Sequence, residues 1–270
     1  MGQTRRMAKG PFRLIASDLD GTIIGPTGEA SPRTRRALAA AREAGTEVMI
    51  ATGRPPQFAL HLPDHLNAGS TMVCSNGAIT YDLESNTFVD RFTMDTGVWH
   101  RVVADLRSAI GNVSFGLEWG CDHTSEATFA AVLGRNDRIP VPDILQAPAE
   151  GAHKLLALHP DIPIGELGPR VREVIDGRLD ITWSTLPFVE ANAPGVSKAA
   201  ALQRYCATRG IDPSEVIAFG DMPNDEEMLS WAGWGVAVGN ALPRTKAVAD
   251  EVTATCADDG VAIVIERLLG

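Results

Sequence analysis

Aromatic residues are scarce in this chain. They make up 6% of its 270 residues, with two Tyr among them, too few for the stacking platforms that hold single-stranded nucleic acid. Positive charge is also in short supply. Lys and Arg number 24 against 34 Asp and Glu, a net charge of −10, so the basic footprint of a DNA- or RNA-binding protein is missing. Nowhere do about 18 apolar residues run together, and no membrane span is expected. Neither internal repeats nor low-complexity tracts occur. The four cysteines, Cys74, Cys121, Cys206 and Cys256, lie far apart with no C-x-x-C pair, which fits reduced thiols in a cytoplasmic protein and not a disulfide framework or zinc knuckle. Arg5, Arg6 and Lys9 are followed by no apolar stretch of signal-peptide type. Position 6 is Arg rather than Ser or Thr, so the Met1-Gly2 start does not read as a lipidation site. His61 and His65 have Pro63 between them and no Glu after the first, which argues against zinc.

What remains is ordinary globular material: 44% hydrophobic and 21% charged residues, in a length that suits one large domain or two modest ones. Phe12 to Ser17 is a short apolar run of strand length that ends at Asp18. Ser31-Pro32 reads as an N-cap followed by Pro in the first helical turn, with Gly45 stopping the helix. Glu47–Ala51 and Thr71–Cys74 read as further strands, ending at Thr52-Gly53-Arg54 and Ser75-Asn76-Gly77. The same rhythm returns with a helix over Lys198–Thr208, a strand over Glu215–Phe219 that ends at Gly220-Asp221, a strand over Trp234–Val238 and a closing helix over Val261–Leu269. Alternating strands and helices predict a parallel sheet with helices on its faces.

The texture changes between these stretches. Helix-like segments near Val98–Ile110, Ser125–Leu133 and Gly168–Ile175 mix with strand-like ones near Val113–Trp119, Lys154–His159 and Asp180–Trp183, and Pro140, Pro142, Pro148, Pro160 and Pro163 break the middle. The expected fold class is α/β: a Rossmann-like parallel-sheet core formed by residues 1–84 and 191–270, with a second α/β domain inserted over residues 85–190. Linkers are expected near Asp82–Thr87 and Pro187–Pro194.

The densest chemistry lies in Asp18-Leu19-Asp20-Gly21-Thr22. Two carboxylates two residues apart follow an apolar strand, where ligands of open α/β sheets bind. One can attack while the other gives and takes a proton. Gly21 permits the turn and Thr22 can brace it. Alone, the segment also reads as an Asx turn. Thr52-Gly53-Arg54 offers a hydroxyl and backbone amides to a phosphate oxygen, although by itself it reads better as a helix cap. Gly195-Val196-Ser197-Lys198 opens a helix, where an anion meets the positive dipole end and an added ammonium. Gly220-Asp221-Met222-Pro223-Asn224-Asp225 follows the later strand over Glu215–Phe219 with two more acids. If these segments converge, the carboxylates need compensation, because two unit charges about 4 Å apart repel by about 4 kcal/mol at an effective dielectric of about 20. A divalent cation resolves this, and an all-oxygen donor set with few carboxylates points to Mg²⁺.

D-x-D-G-T, then T-G-R, then a Lys opening a helix, then G-D-x-x-N-D resembles the four motifs of the haloacid dehalogenase superfamily. The motif order, the large insert between the second and third motifs, and Ser75-Asn76-Gly77-Ala78 after the third strand resemble its Cof-type phosphatases, whose cap is α/β. The resemblance covers the motif regions from about Leu14 to Ile79 and from about Val189 to Ala237, and is weak across the cap. It implies that Asp18 is the nucleophile that becomes an aspartyl-phosphate and that Asp20 is the acid and base. Thr52, with Gly53, and Lys198 would hold the phosphoryl group. Asp18, the backbone carbonyl of Asp20, and Asp221 would hold Mg²⁺, with Asn224 and Asp225 orienting that shell. Arg54, Asn76 and Gly77 would lie near the substrate. Ala199 departs from the Gly common after the Lys.

The expected activity is therefore hydrolysis of a phosphate ester of a small soluble metabolite, sugar phosphates first. The uncatalysed reaction is so slow that enzymes accelerate it by up to about 10²¹-fold, and splitting it into two displacements suits this set of residues. A phosphomutase of the phosphomannomutase type is the alternative enzyme. A phosphate-binding protein on the same core is the non-enzymatic one, against which the Asp18/Asp20 pair argues, since a binder needs no proton donor. No nucleic acid or membrane partner is expected, and either a monomer or a homodimer is compatible with the sequence.

Overall fold

The computed structural model describes residues 12–59, 62–134, 138–147, 150–183 and 186–270. Met1-Gly2, Arg5, Arg6, Lys9, His61 and Pro148 lie outside them. The chain runs through β1 (Leu14–Ser17), α1 (Pro32–Glu43), β2 (Glu47–Ala51), α2 (Leu62–Leu66), β3 (Thr71–Cys74), β4 (Ile79–Asp82) and β5 (Thr87–Arg91). It continues with α3 (Thr96–Ile110), β6 (Ser114–Trp119), β7 (Asp122–Ser125), α4 (Ala127–Leu133), β8 (Ile139–Pro140), β9 (Ala152–Leu158), α5 (Ile164–Ile175), β10 (Asp180–Trp183) and β11 (Val189–Asn192). It closes with α6 (Lys198–Arg209), β12 (Val216–Gly220), α7 (Glu226–Trp231), β13 (Trp234–Ala237), α8 (Pro243–Val248), β14 (Glu251–Val252) and α9 (Gly260–Leu269). No helix among the described residues is long and apolar enough to cross a membrane.

Two units result. The core comprises the chain up to Arg54, Phe58–Val89 and Ser197–Gly270; the cap comprises Asp90–Val196 together with Pro55–Gln57. These divisions fall a few residues beyond 84/85 and 190/191, and the strands give the reason. The segment expected as a linker near 82–87 is the turn between β4 and β5, both of which belong to the core sheet. β5 is an edge strand whose residues are exposed or half-buried in alternation, so it lacks an apolar run. The second expected linker, near 187–194, contains β11, which pairs with β9 and β10 in the cap sheet.

In the core, eight strands lie in the order β14-β13-β12-β1-β2-β3-β4-β5. The pairs from β14 to β3 are parallel and β3–β4 is antiparallel. β1, β3 and β12 are buried at every position, as strands covered by helices on both faces must be. Helix starts follow their local signals. The Ser31 hydroxyl accepts from the Thr34 amide at 3.0 Å and the Ser197 hydroxyl from the Ala200 amide at 3.2 Å, each satisfying one orphan donor. α1 buries Thr34, Ala37, Leu38 and Ala41, the spacing of one helical face. Its exposed Arg33 pairs with Glu266 of α9 at 2.6 Å. α6 ends at Gly210 in left-handed backbone.

The cap sheet has six strands in the order β10-β11-β9-β6-β7-β8, antiparallel except for β7–β8. Helices α3 and α5 close over one face, packing Trp99, Val102, Leu106, Leu167 and Val171 against Phe115, Leu117 and Leu155. α5 begins at Ile164, ahead of the expected Gly168, and carries Pro169 within it. Phe129 of α4 packs with Leu156, Leu158 and Phe188. Glu118 stands opposite Lys154 in the β6–β9 register, and Lys154 donates to Glu190 at 2.8 Å. Arg138 and His153 approach Glu118 at 3.6 and 3.9 Å.

Candidate active site

Parallel strands bring their carboxyl ends to one sheet edge, and four of the expected segments begin there. Asp18 follows β1 and its amide still donates to Phe219 of β12 at 2.9 Å; Thr52 follows β2 and donates to Val73 of β3 at 2.8 Å. Ser75 follows β3 and Asp221 follows β12. The first turn of α6 adds Lys198. Its Nζ lies 2.5 Å from Asp18 Oδ1 and 2.7 Å from Asp225 Oδ1, and all three side chains are buried. The other Asp225 oxygen accepts from the backbone amides of Asp221 and Met222, each at 3.0 Å. Asp221 Oδ1 accepts from the Thr22 hydroxyl at 3.3 Å, the bracing role that residue was expected to have. Gly21 is required here twice over. Its φ is +82°, and a Cβ would lie 2.5 Å from Asp221 Oδ2, so any side chain would push Asp221 out of the cluster.

Electrostatics follow from burial. Loss of solvent, reinforced by Asp225 and Asp221, pushes the Asp18 carboxyl up to about 8 against the opposing pull of Lys198. Burial and then Asp225 raise Asp221 to about 6. Burial would drive the proton off Lys198, but Asp18 and Asp225 outweigh it and hold the ammonium above its ordinary value. Three carboxylates around one ammonium leave a surplus of negative charge in a place that water barely reaches.

Asp20 stands outside this cluster. Its side chain is 53% exposed, and Arg54 clasps it with both arms of the guanidinium, at 2.9 and 2.6 Å. The Arg54 amide in turn donates to the Thr52 hydroxyl at 3.1 Å. Asn76 is buried and its Oδ1 accepts from Asn224 Nδ2 at 3.0 Å. Gly53 faces that same oxygen, and Gly77 faces the Ser197 carbonyl at the start of α6. Asn240 was not anticipated. Its Nδ2 donates to the Gly21 carbonyl and its Oδ1 accepts from the Cys256 amide, both at 2.8 Å, so it fixes the loop after Asp20. Its position three residues beyond a parallel strand, on the same edge, was the available signal.

The donor set fits a hard divalent cation. Asp18, Asp221 and Asp225 bring carboxylate oxygens within 4.8 Å of one another. Asp225 already spends both oxygens on Lys198 and two backbone amides, so the carboxylates better placed to offer an oxygen to a cation are Asp18 and Asp221. Oxygen donors suit Mg²⁺, which keeps waters and a substrate oxygen in the rest of its shell.

Comparison with known proteins decides the family. The model of the haloacid dehalogenase-like hydrolases matches residues 15–265. The chain belongs to the haloacid dehalogenase-like hydrolases. Within that family it is 32% identical over 259 residues to the 5-amino-6-(5-phospho-D-ribitylamino)uracil phosphatase YcsE of Bacillus subtilis (strain 168), covering 95% of each chain. It is 30% identical over 264 residues to the pyridoxal phosphate phosphatase YbhA of Escherichia coli (strain K12), covering 93% of this chain and 96% of that one. A haloacid dehalogenase-like hydrolase from Bacteroides thetaiotaomicron has the same fold, with a TM-score of 0.81 at 29% identity, over 95% of this chain and 99% of that one. Likeness to these family members extends through the cap, where the motifs alone gave little.

Proposed function

We propose that this hydrolase is a Mg²⁺-dependent phosphatase that releases inorganic phosphate from a small phosphorylated metabolite through an aspartyl-phosphate on Asp18, in the cytoplasm. The observation that carries the reading is the buried contact of Asp18 Oδ1 with Lys198 Nζ at 2.5 Å, at the end of a parallel strand and beside Asp221. An oxygen of the Asp18 carboxylate attacks phosphorus, and the bond from phosphorus to the ester oxygen breaks. Asp20, at the solvent-facing rim, gives its proton to the departing oxygen. The Asp20 carboxylate then takes a proton from water as that water attacks phosphorus; the bond to the Asp18 oxygen breaks, phosphate leaves, and Asp18 is restored. Thr52, the Gly53 amide and Lys198 hold the phosphoryl oxygens. Asp18, Asp221 and the backbone carbonyl of Asp20 would hold Mg²⁺, which supplies positive charge to the phosphoryl oxygens when bound. Asn224 and Asp225 orient those ligands.

The relatives named above act on phosphate monoesters of small metabolites, which supports that substrate class. Sugar phosphates head the list, and the cap is the element assigned to read the leaving group. The test is a screen of sugar phosphates, pyridoxal phosphate and phosphorylated ribityl-pyrimidines for phosphate release, with no bisphosphate activator, by wild type and Asp18→Asn. Turnover by wild type alone is expected. Turnover of equal rate in Asp18→Asn would remove the nucleophile assignment, and isomerised ester without free phosphate would make the protein a mutase.

A further inference from the structure

Ser75, Asn76 and Gly77 follow β3 with φ of 50°, 57° and 103°, three successive residues in left-handed backbone, all buried. Such a run is costly for residues other than glycine, and persists only where its surroundings hold it. Here three loops of the active site do so. The Ser75 amide donates to the Arg54 carbonyl at 2.9 Å and the Asn76 amide to the Thr52 carbonyl at 3.1 Å. Asn76 Oδ1 accepts from Asn224 at 3.0 Å, and a Cβ on Gly53 would come within 3.0 Å of that oxygen. At Gly77 a Cβ would collide with the Ser197 carbonyl and lie 3.1 Å from the Lys198 amide, so the missing side chain is what lets α6 begin so close.

We infer that Asn76 is a positioning residue for phosphoryl transfer, which ties the Thr52–Arg54 loop to the Asn224–Asp225 loop and so sets Thr52 and Lys198 against Asp18. The assignment rests on the phosphatase reading above. Asn suits the post on two counts. It tolerates left-handed backbone better than other side chains, and its amide oxygen accepts from Asn224. The Asn224 loop carries Asp225, which holds Lys198 together with Asp18. With its oxygen on Asn224 and its side chain buried, Asn76 acts through its neighbours and does not need to touch substrate.

The experiment compares wild type, Asn76→Gly, Asn224→Ala and the double variant, with p-nitrophenyl phosphate and Mg²⁺. Gly keeps the backbone conformation and removes only the amide. Asn76→Gly should lower kcat on the order of 100-fold, the loss that a displacement of about 1 Å brings, with KM changed by less than about threefold. The double variant should be no slower than the slower single, since both break one link. A raised KM at unchanged kcat would make Asn76 a substrate-binding residue and overturn the inference, as would losses that multiply in the double variant. An active wild type with an equally active Asn76→Gly overturns it while leaving the phosphatase reading intact. A wild type that hydrolyses no phosphate ester overturns both. Should Asn76→Gly fail to fold by circular dichroism, Asn224→Ala, which breaks the same hydrogen bond from the other loop, decides by the same split between kcat and KM.

Discussion

The core buries Lys198 among Asp18, Asp221 and Asp225, while the cap buries Lys154 and Arg138 beside Glu118 and the half-buried Glu190. Both clusters take charges out of water, which is expensive unless each finds a partner. The cap cluster balances in charge. Two cations meet two carboxylates, and burial, followed by the nearby Lys154, pushes His153 down to about 3, so that it stays neutral. The core cluster does not balance: three carboxylates share one ammonium, and burial, reinforced by the neighbouring carboxylates, raises Asp18 to about 8 and Asp221 to about 6. A network that neutralises itself needs only to hold strands together. One with a negative surplus suits a cation, which would then be the largest local charge in the site.

The contrast can be broken most sharply at Asp18. Asp18→Asn should lower kcat by at least about 10⁴-fold and keep the fold, as measured by phosphate release and circular dichroism; a folded variant with wild-type turnover would make the surplus catalytically idle. Next comes loss of a cation. Lys154→Met should cost about 3–5 kcal/mol of stability, because it strands buried carboxylates, and added Mg²⁺ should not restore it. Lys198→Met should lose turnover, and its lowered melting temperature should recover with Mg²⁺, which replaces the missing positive charge. Urea denaturation of both variants with and without Mg²⁺ checks this, and equal rescue of both would erase the distinction. For the wild type, EDTA should stop hydrolysis and lower stability, and Mg²⁺ at about 100 times its dissociation constant should return about 2.7 kcal/mol.

A smaller effect comes from pH. His153 has a folded value of about 3 against 6.5 for the ordinary group. Its contribution to stability is complete above about pH 6.5 and drains as pH falls from 6.5 towards 3, because the unfolded chain takes up a proton that the folded chain refuses. Glu118, raised by burial, works the opposite way in acid. The readout is therefore the difference between wild type and His153→Gln, whose denaturation midpoints should converge as the pH is lowered through that window. Parallel curves would mean that His153 is not held neutral. The smallest effect belongs to the exposed pair at the rim. Arg54→Gln should change stability by less than about 1 kcal/mol in thermal melts, since Asp20 remains hydrated without it.

Which parts of this were legible beforehand follows the range of the forces involved. Strands β1, β2 and β3 and the caps Ser31 and Ser197 are local features, written in apolar runs and in a hydroxyl three residues ahead of an orphan amide. β5 and β11 were hidden, since an edge strand with alternating exposure and a four-residue strand between prolines carry little local signal and exist through pairing with strands already in place. The same division runs through the site. Asp18, Thr52 and Asp221 announce themselves because a polar residue directly after a buried parallel strand must emerge at the sheet edge.

By itself, then, the order of residues determined the α/β class, the edge on which the reactive groups emerge, and their kinds. Only the folded chain decided their partners. It gave Lys198 to both Asp18 and Asp225, closed Arg54 on Asp20, and turned the amide of Asn76 towards Asn224. Hydrogen bonds and ion pairs act over a few ångströms, and these groups lie tens to nearly two hundred residues apart along the chain, so the choice among many possible partners falls to the packing of strands and helices that brings a few of them within reach.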